Sequence, residues 1–212
     1  MKTNQLGKLG WAAALAATAF IVFTGFQGGP EKSGVVDMNK AISDSKFGLK
    51  NVASFKTVFE SRNALMTFID NTRVVRADQA TKLKEYAMKA ALTEAEKKDE
   101  EKIKNDITAA VKNYNTLNTK QNPTDDDRRQ LQEYNNQIQD TVRQLQAWQD
   151  EFTADLQKIQ GEMRKAEVQR SKEALAEVAK KGSYNVVFES QIAPYGVNDL
   201  TADVIKAMDA KP

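Results

Sequence analysis

Cysteine and histidine are both absent from this chain of 212 residues. Without them there is no disulfide, no thiol chemistry, no zinc site of the usual ligand types and no histidine acid–base catalysis. Glycine is missing from the whole stretch between Leu49 and Gln160, where Pro123 is the one proline. A succession of short strands and tight turns does not fit such a stretch. Excess charge is lacking as well. The formal net charge is +2, and Lys2 and Lys8 supply it, because residues 31–212 carry 29 basic and 29 acidic side chains. A neutral chain has no electrostatic footprint for nucleic acid. There is no Gly-rich phosphate loop and no nucleophile arrangement. Asp125, Asp126 and Asp127 could hold a cation, but a helix's first turn accounts for them. No enzyme, metal or cofactor is expected.

What remains is a composition of Lys, Glu, Gln, Asn, Asp, Ala and Leu that suits long helices. Its interruption at Gln121-Asn122-Pro123-Thr124 predicts a tip. Proline cannot continue a helix, it pushes Asn122 towards extended geometry, and Thr124 can cap the next helix. The expectation is two long antiparallel helices with a tip at 118–126. At 1.5 Å per residue the returning arm would reach about 85 Å, too long to bury itself in a globule.

In chain order, Met1 to Pro30 reads as a targeting segment. Lys2 and Lys8 precede an apolar run from Leu9 to Phe26, 18 residues that fall between a signal peptide and a bilayer span. Ala17-Thr18-Ala19 comes too early for cleavage, so an uncleaved membrane anchor and a removed signal both stay open; either exports the rest. Val35 to Met38 is a brief strand, and Asn39 is expected to cap a short helix ending at Gly48. The next helix is predicted to begin near Asn51 or Ser54. Its apolar face of Val52, Phe55, Val58, Phe59, Leu65, Met66, Phe68 and Ile69 reads as body core. Leu92-Thr93-Glu94-Ala95-Glu96 resembles a capping box and marks a kink or break near Thr93.

Ile103, Ile107, Ala110, Tyr114 and Leu117 then give a 4-3-4-3 seam. After the tip, Leu131, Ile138, Leu145, Phe152, Ile159 and Ala166 repeat every seven residues, with Tyr134, Trp148, Leu156 and Met163 between them. Tyr114 and Tyr134 are expected to pack together across the tip. Gly182 stops the helix, 185–189 form a second strand, and a last short helix begins at 199–203. The strands flank the hairpin in sequence, so they are expected to pair in a small body. The reading divides the chain into 1–33 (leader and linker), 34–53 with 182–212 (body) and 54–181 (hairpin).

This order resembles the Skp/OmpH family of periplasmic chaperones. The resemblance rests on Val35-Val36-Asp37-Met38-Asn39-Lys40, on Tyr184-Asn185-Val186-Val187-Phe188, and on Tyr195-Gly196-Val197-Asn198-Asp199-Leu200-Thr201-Ala202-Asp203-Val204-Ile205. It implies an α+β, mainly α fold in which a coiled-coil tentacle stands on a small β-containing trimerisation body. It also implies a homotrimer that acts without ATP, sheltering unfolded outer-membrane β-barrel proteins in a cavity between its arms. Three features depart from the family: a leader without a clear cleavage site, a neutral exported part and longer arms.

On that reading Trp148, Phe152 and Met163 are the candidates for client contact, and Asn122, Pro123 and Thr124 form the tip. Val35, Val36, Val186, Val187, Phe188, Leu200, Val204 and Ile205 build the trimer body, since two short strands per chain make only a marginal sheet. The alternative is a membrane-anchored coiled-coil spacer or adaptor of the cell envelope, whose arms would stay closed.

Overall fold

A computed structural model describes residues 32–211. The leader and the anchor-or-signal alternative lie outside the described residues. The elements run β1 (Ser33–Val36), α1 (Met38–Asp44), α2 (Lys46–Thr72), α3 (Ala77–Ala87), α4 (Glu94–Asn118), α5 (Asp125–Lys181), β2 (Val186–Glu189) and α6 (Thr201–Ala210). The mainly α, α+β class holds. The chain divides into two units, one of residues up to Phe47 and from Val168 onward, the other Gly48–Glu167.

In the first unit β1 and β2 pair in parallel, with Ser33 opposite Val186 and Val36 opposite Glu189. A parallel pair needs a long crossover, and here the entire helical segment supplies it. The other edge of β1 is also used. The Val35 N–H donates to Asn198 O at 2.8 Å and the Leu200 N–H to Val35 O at 2.8 Å. One face carries Gly34, Val36, Val187 and Glu189; the other carries Val35, Val186 and Phe188. The first face closes on α1, α6 and the end of α5, in a core of Val36, Met38, Ala41, Ile42, Ala174, Leu175, Ala179, Val187, Leu200, Val204 and Met208. Gly196 fits beside this sheet only because it lacks a side chain: a Cβ there would stand 1.9 Å from Val35 Cγ1.

Several boundaries differ from the sequence reading. Asp37, not Asn39, caps α1, its Oδ1 accepting the Lys40 N–H at 2.8 Å. Gly48 does not end a helix. It lies inside α2, which Ser45 alone separates from α1. Past α5, the left-handed residue is Ser183 (φ 56°), not Gly182. The Gly182 N–H donates to Val178 O and the Tyr184 N–H to Ala179 O, both at 2.9 Å, so the last carbonyls of α5 are satisfied. Arg170 does the same for α6, its guanidinium donating to the Met208 and Lys211 carbonyls while it stacks on Phe47.

Glu189 points into this core and is 6% exposed. Its Oε1 accepts the Met38 N–H at 3.2 Å, while Oε2 has no partner among the described residues. Burial pushes this carboxyl above its ordinary 4.5, Asp37 nearby adds to the rise, and the Met38 N–H opposes it. A raised folded-state pKa means a stabilising contribution fully present below 4.5 and lost as pH rises through the folded value. Glu189→Gln is therefore expected to remove a loss of stability that the natural chain shows between pH 4.5 and neutrality. Urea unfolding of both proteins across that interval checks it, and parallel pH profiles would contradict it.

Candidate functional site

The helical unit is not a simple hairpin. The outgoing arm is three helices, and the middle one runs backwards. α2 lies antiparallel to α5, with Asn51 Nδ2 donating to Glu167 Oε1 at 3.1 Å and Arg62 Nη2 standing 2.5 Å from Asp155 Oδ2. Beyond Thr72 the chain turns through Arg73, whose φ is 55°, and α3 returns along α2. Its end is tied there by the Ser61 hydroxyl, which donates to Ala87 O at 3.3 Å. A second turn leads to Thr93, whose hydroxyl accepts the Glu96 N–H while Glu96 Oε2 accepts the Thr93 N–H. That reciprocal cap starts α4 in the original direction, and the break expected near Thr93 is there.

α4 and α5 meet across the tip. Tyr114 and Tyr134 pack edge to face with ring centroids 6.1 Å apart, and Asn113 Nδ2 donates to the Tyr134 hydroxyl at 2.9 Å. At the tip, Asn122 and Thr124 are exposed and Pro123 is half-buried. Asp127 accepts the Thr124 N–H at 2.7 Å, and the Asp127 N–H donates back to Thr124 Oγ1 at 3.2 Å. Lys120 first, then the Thr124 amide and hydroxyl, hold the Asp127 carboxyl down at about 2.

The fold-back changes the pairing register. Partner numbers add to 217 for Arg62 with Asp155 but to 247 for Asn113 with Tyr134, a slip of 30 residues. α3 and its two turns, residues 73–93, supply 21 of them, and the start of α4, which retraces the length of α3, supplies the rest. Around the slip, α2, α3, α4 and α5 share one core: Leu65, Ile69, Val75, Ala80, Leu83, Ala87, Ile107, Trp148 and Phe152.

Trp148 and Phe152, the aromatic candidates, are thus interior, each 4% exposed and stacked on one another with centroids 6.2 Å apart. Met163 is half-buried. Two polar residues of the α5 seam have specific partners. Thr141 donates to Val75 O, at 3.4 Å, beside the first turn. Asp155 holds Arg62, which is 4% exposed, leans over the Phe152 ring and leaves Nε and Nη1 without partners among the described residues.

Phe55, Phe59 and Phe68, expected in the body core, belong to the helical unit and are half-buried, Phe68 packing against that unit's core. The α2 face turned to α5 carries Arg62, Leu65 and Ile69. Val52, Phe55, Phe59 and Met66 lie on one flank of it, with Val52 43% exposed. Met66 reaches the shared core from this flank, while Val52 stays exposed and Phe55 and Phe59 half-buried, residues that the spacing alone assigned to the core. The spacing was visible, but which side faced α5 was not.

Of the proposed trimer residues, Val35, Val36, Val187, Leu200 and Val204 are buried within the protomer itself, while Val186, Phe188 and Ile205 are half-buried. The loop after β2 is more open. Ile192 is 58% exposed, and Tyr195 and Val197 are each 95% exposed. Among the described residues no acidic cluster suits a metal ion, and no helix is long and apolar enough to cross a membrane.

A small body on paired parallel strands and a helical unit of antiparallel arms define a helical-arm protein. The family model described as outer membrane protein (OmpH-like) matches residues 32–208. The chain belongs to that family. Membership points to a periplasmic chaperone of outer-membrane proteins, a class without an enzymatic reaction. No curated protein and no solved structure matches the chain.

Proposed function

We propose that this protein is an ATP-independent holdase, a homotrimer whose helical arms bound a cavity for unfolded outer-membrane β-barrel chains. The observation that carries the reading is the apolar surface a single protomer leaves uncovered. In the body it comprises Ile192, Tyr195 and Val197 beside the half-buried Val186 and Phe188; in the helical unit it comprises Val52 beside the half-buried Phe55 and Phe59. Contiguous exposed apolar groups mark contact surfaces. The body set suits other copies of the chain, since strands pooled from three protomers stabilise a sheet that two cannot. The α2 flank around Val52 suits weak contacts to many unfolded sequences.

The membrane-anchored spacer reading is served less well. A spacer gains from one stiff rod, whereas the outgoing arm is interrupted at residues 73–76 and 88–93. Periplasmic localisation follows from family membership, and attachment to the inner membrane through the leader is part of the proposal.

Native mass measurement tests the assignment, alone and after diluting in a urea-unfolded outer-membrane barrel. The expected species is a trimer, three times the 23.6 kDa chain less any removed leader, that takes up one client and keeps it from aggregating. A trimer that ignores the client would favour the spacer. A monomer would remove the cavity altogether.

A further inference from the structure

The specific side-chain ties from α2 and from α4 to α5 leave α3 out. α2 is tied to α5 by Arg62–Asp155 and Asn51–Glu167, and α4 is tied to α5 at Tyr114–Tyr134 and Lys120–Asp127. None of these contacts involves residues 77–87. Yet α3 covers the most apolar part of the unit, laying Ala80, Leu83 and Ala87 against Leu65, Ile69, Trp148 and Phe152.

Its hold is light. Leu83 is the one large aliphatic side chain it contributes to that core. Tyr86, 5% exposed, adds one buried aromatic ring, and the remaining ties are polar: Lys84 to Glu151 at 2.5 Å, the Tyr86 hydroxyl to Asp99 at 2.6 Å and Ser61 to the Ala87 carbonyl. Both ends are jointed, by residues 73–76 with Arg73 left-handed and by residues 88–93.

We propose that α3 is a lid. It closes over the Trp148–Phe152 face when the chaperone is empty, and an unfolded outer-membrane segment displaces it. Local opening of this kind draws on elements with few apolar contacts. The lid stores its own amphipathic helix where a client's apolar side chains would otherwise rest, so the face stays covered until it is needed. This rests on the holdase reading.

The test uses the full chain, which has no cysteine of its own. Lys84→Cys with Glu151→Cys can be joined by a short bismaleimide across the observed ion pair. The urea-unfolded barrel is offered to the joined and unjoined forms. Joining is expected to lower capture roughly tenfold or more, because the open population is removed. Equal capture by both forms would overturn the lid.

Amide exchange without client is the independent arm. Residues 77–87 are expected to exchange on the order of tenfold or more faster than residues 145–155 of α5. Exchange of α3 as slow as that of α5 would overturn the lid by itself. If the natural chain captures no client, the holdase reading falls, and the exchange arm still decides whether α3 opens.

Discussion

Asp155→Ala is expected to destabilise the helical unit by about 3 kcal/mol, the low end of what breaking a buried ion pair costs. The low end applies because the Asp155 side chain is 32% exposed while that of Arg62 is 5% exposed, so water screens one partner and not the other. The loss comes less from the forfeited attraction than from what is left behind. A guanidinium that already has two nitrogens unpartnered would lose its remaining acceptor in a core of Leu65, Ile69 and Phe152. Adding Arg62→Met to the same protein should restore stability to the natural level or above it. An apolar side chain of similar length fills the site without a charge to desolvate. Urea unfolding followed by far-ultraviolet circular dichroism measures both steps. If the single and double variants unfold at the same midpoint, the buried charge is not the source of the loss.

Arg62 also shows what the sequence left illegible. In a stretch carrying Phe55, Phe59, Leu65, Met66 and Ile69, an arginine reads as a surface residue, yet it takes the seam while the phenylalanines move to the flank. Helical spacing identifies an apolar sector but not which edge of it meets the neighbour. The heptads of α5 held more information than their apolar members alone conveyed. Thr141 and Asp155, seven residues either side of Trp148, break the apolar run at the two levels where a turn carbonyl and a buried cation must be met.

The fold-back itself was half legible. Thr93 and Glu96 announced the second turn, because a reciprocal cap has a sequence signature. The first turn has none. Arg73 adopts a left-handed φ that favours glycine, and only the β-branched pair Val74-Val75 interrupts the helical composition. Its stability comes from long-range contacts, the burial of Val74 and Val75 and the Thr141 hydrogen bond, which no local pattern encodes. The body was more open to reading. Short β-rich runs at either end of a long helical segment leave few topologies, and parallel pairing follows once both enter the sheet from the same side.

Phe152→Ala is the second large effect, expected at about 3–5 kcal/mol, the range for emptying a buried aromatic site. Phe152 stacks on Trp148 and lies under the Arg62 guanidinium, so truncation opens a cavity in the core that α2, α3, α4 and α5 share. Stability alone cannot reveal whether Phe152 also touches clients, and Met163 provides the contrast. It is half-buried on the same helix, outside that core, so Met163→Ala should change stability by less than about 1 kcal/mol. If the α5 seam receives clients, both variants should weaken capture of the unfolded barrel, Met163→Ala without any shift in its unfolding midpoint. If the seam serves only to join helices, Met163→Ala should capture like the natural chain. Phe152→Leu, which returns most of the lost volume, should then recover capture in proportion to the stability it recovers. The reading of Phe152 as a contact residue fails if capture follows stability across all three variants. It stands if Phe152→Leu regains its fold and not its client.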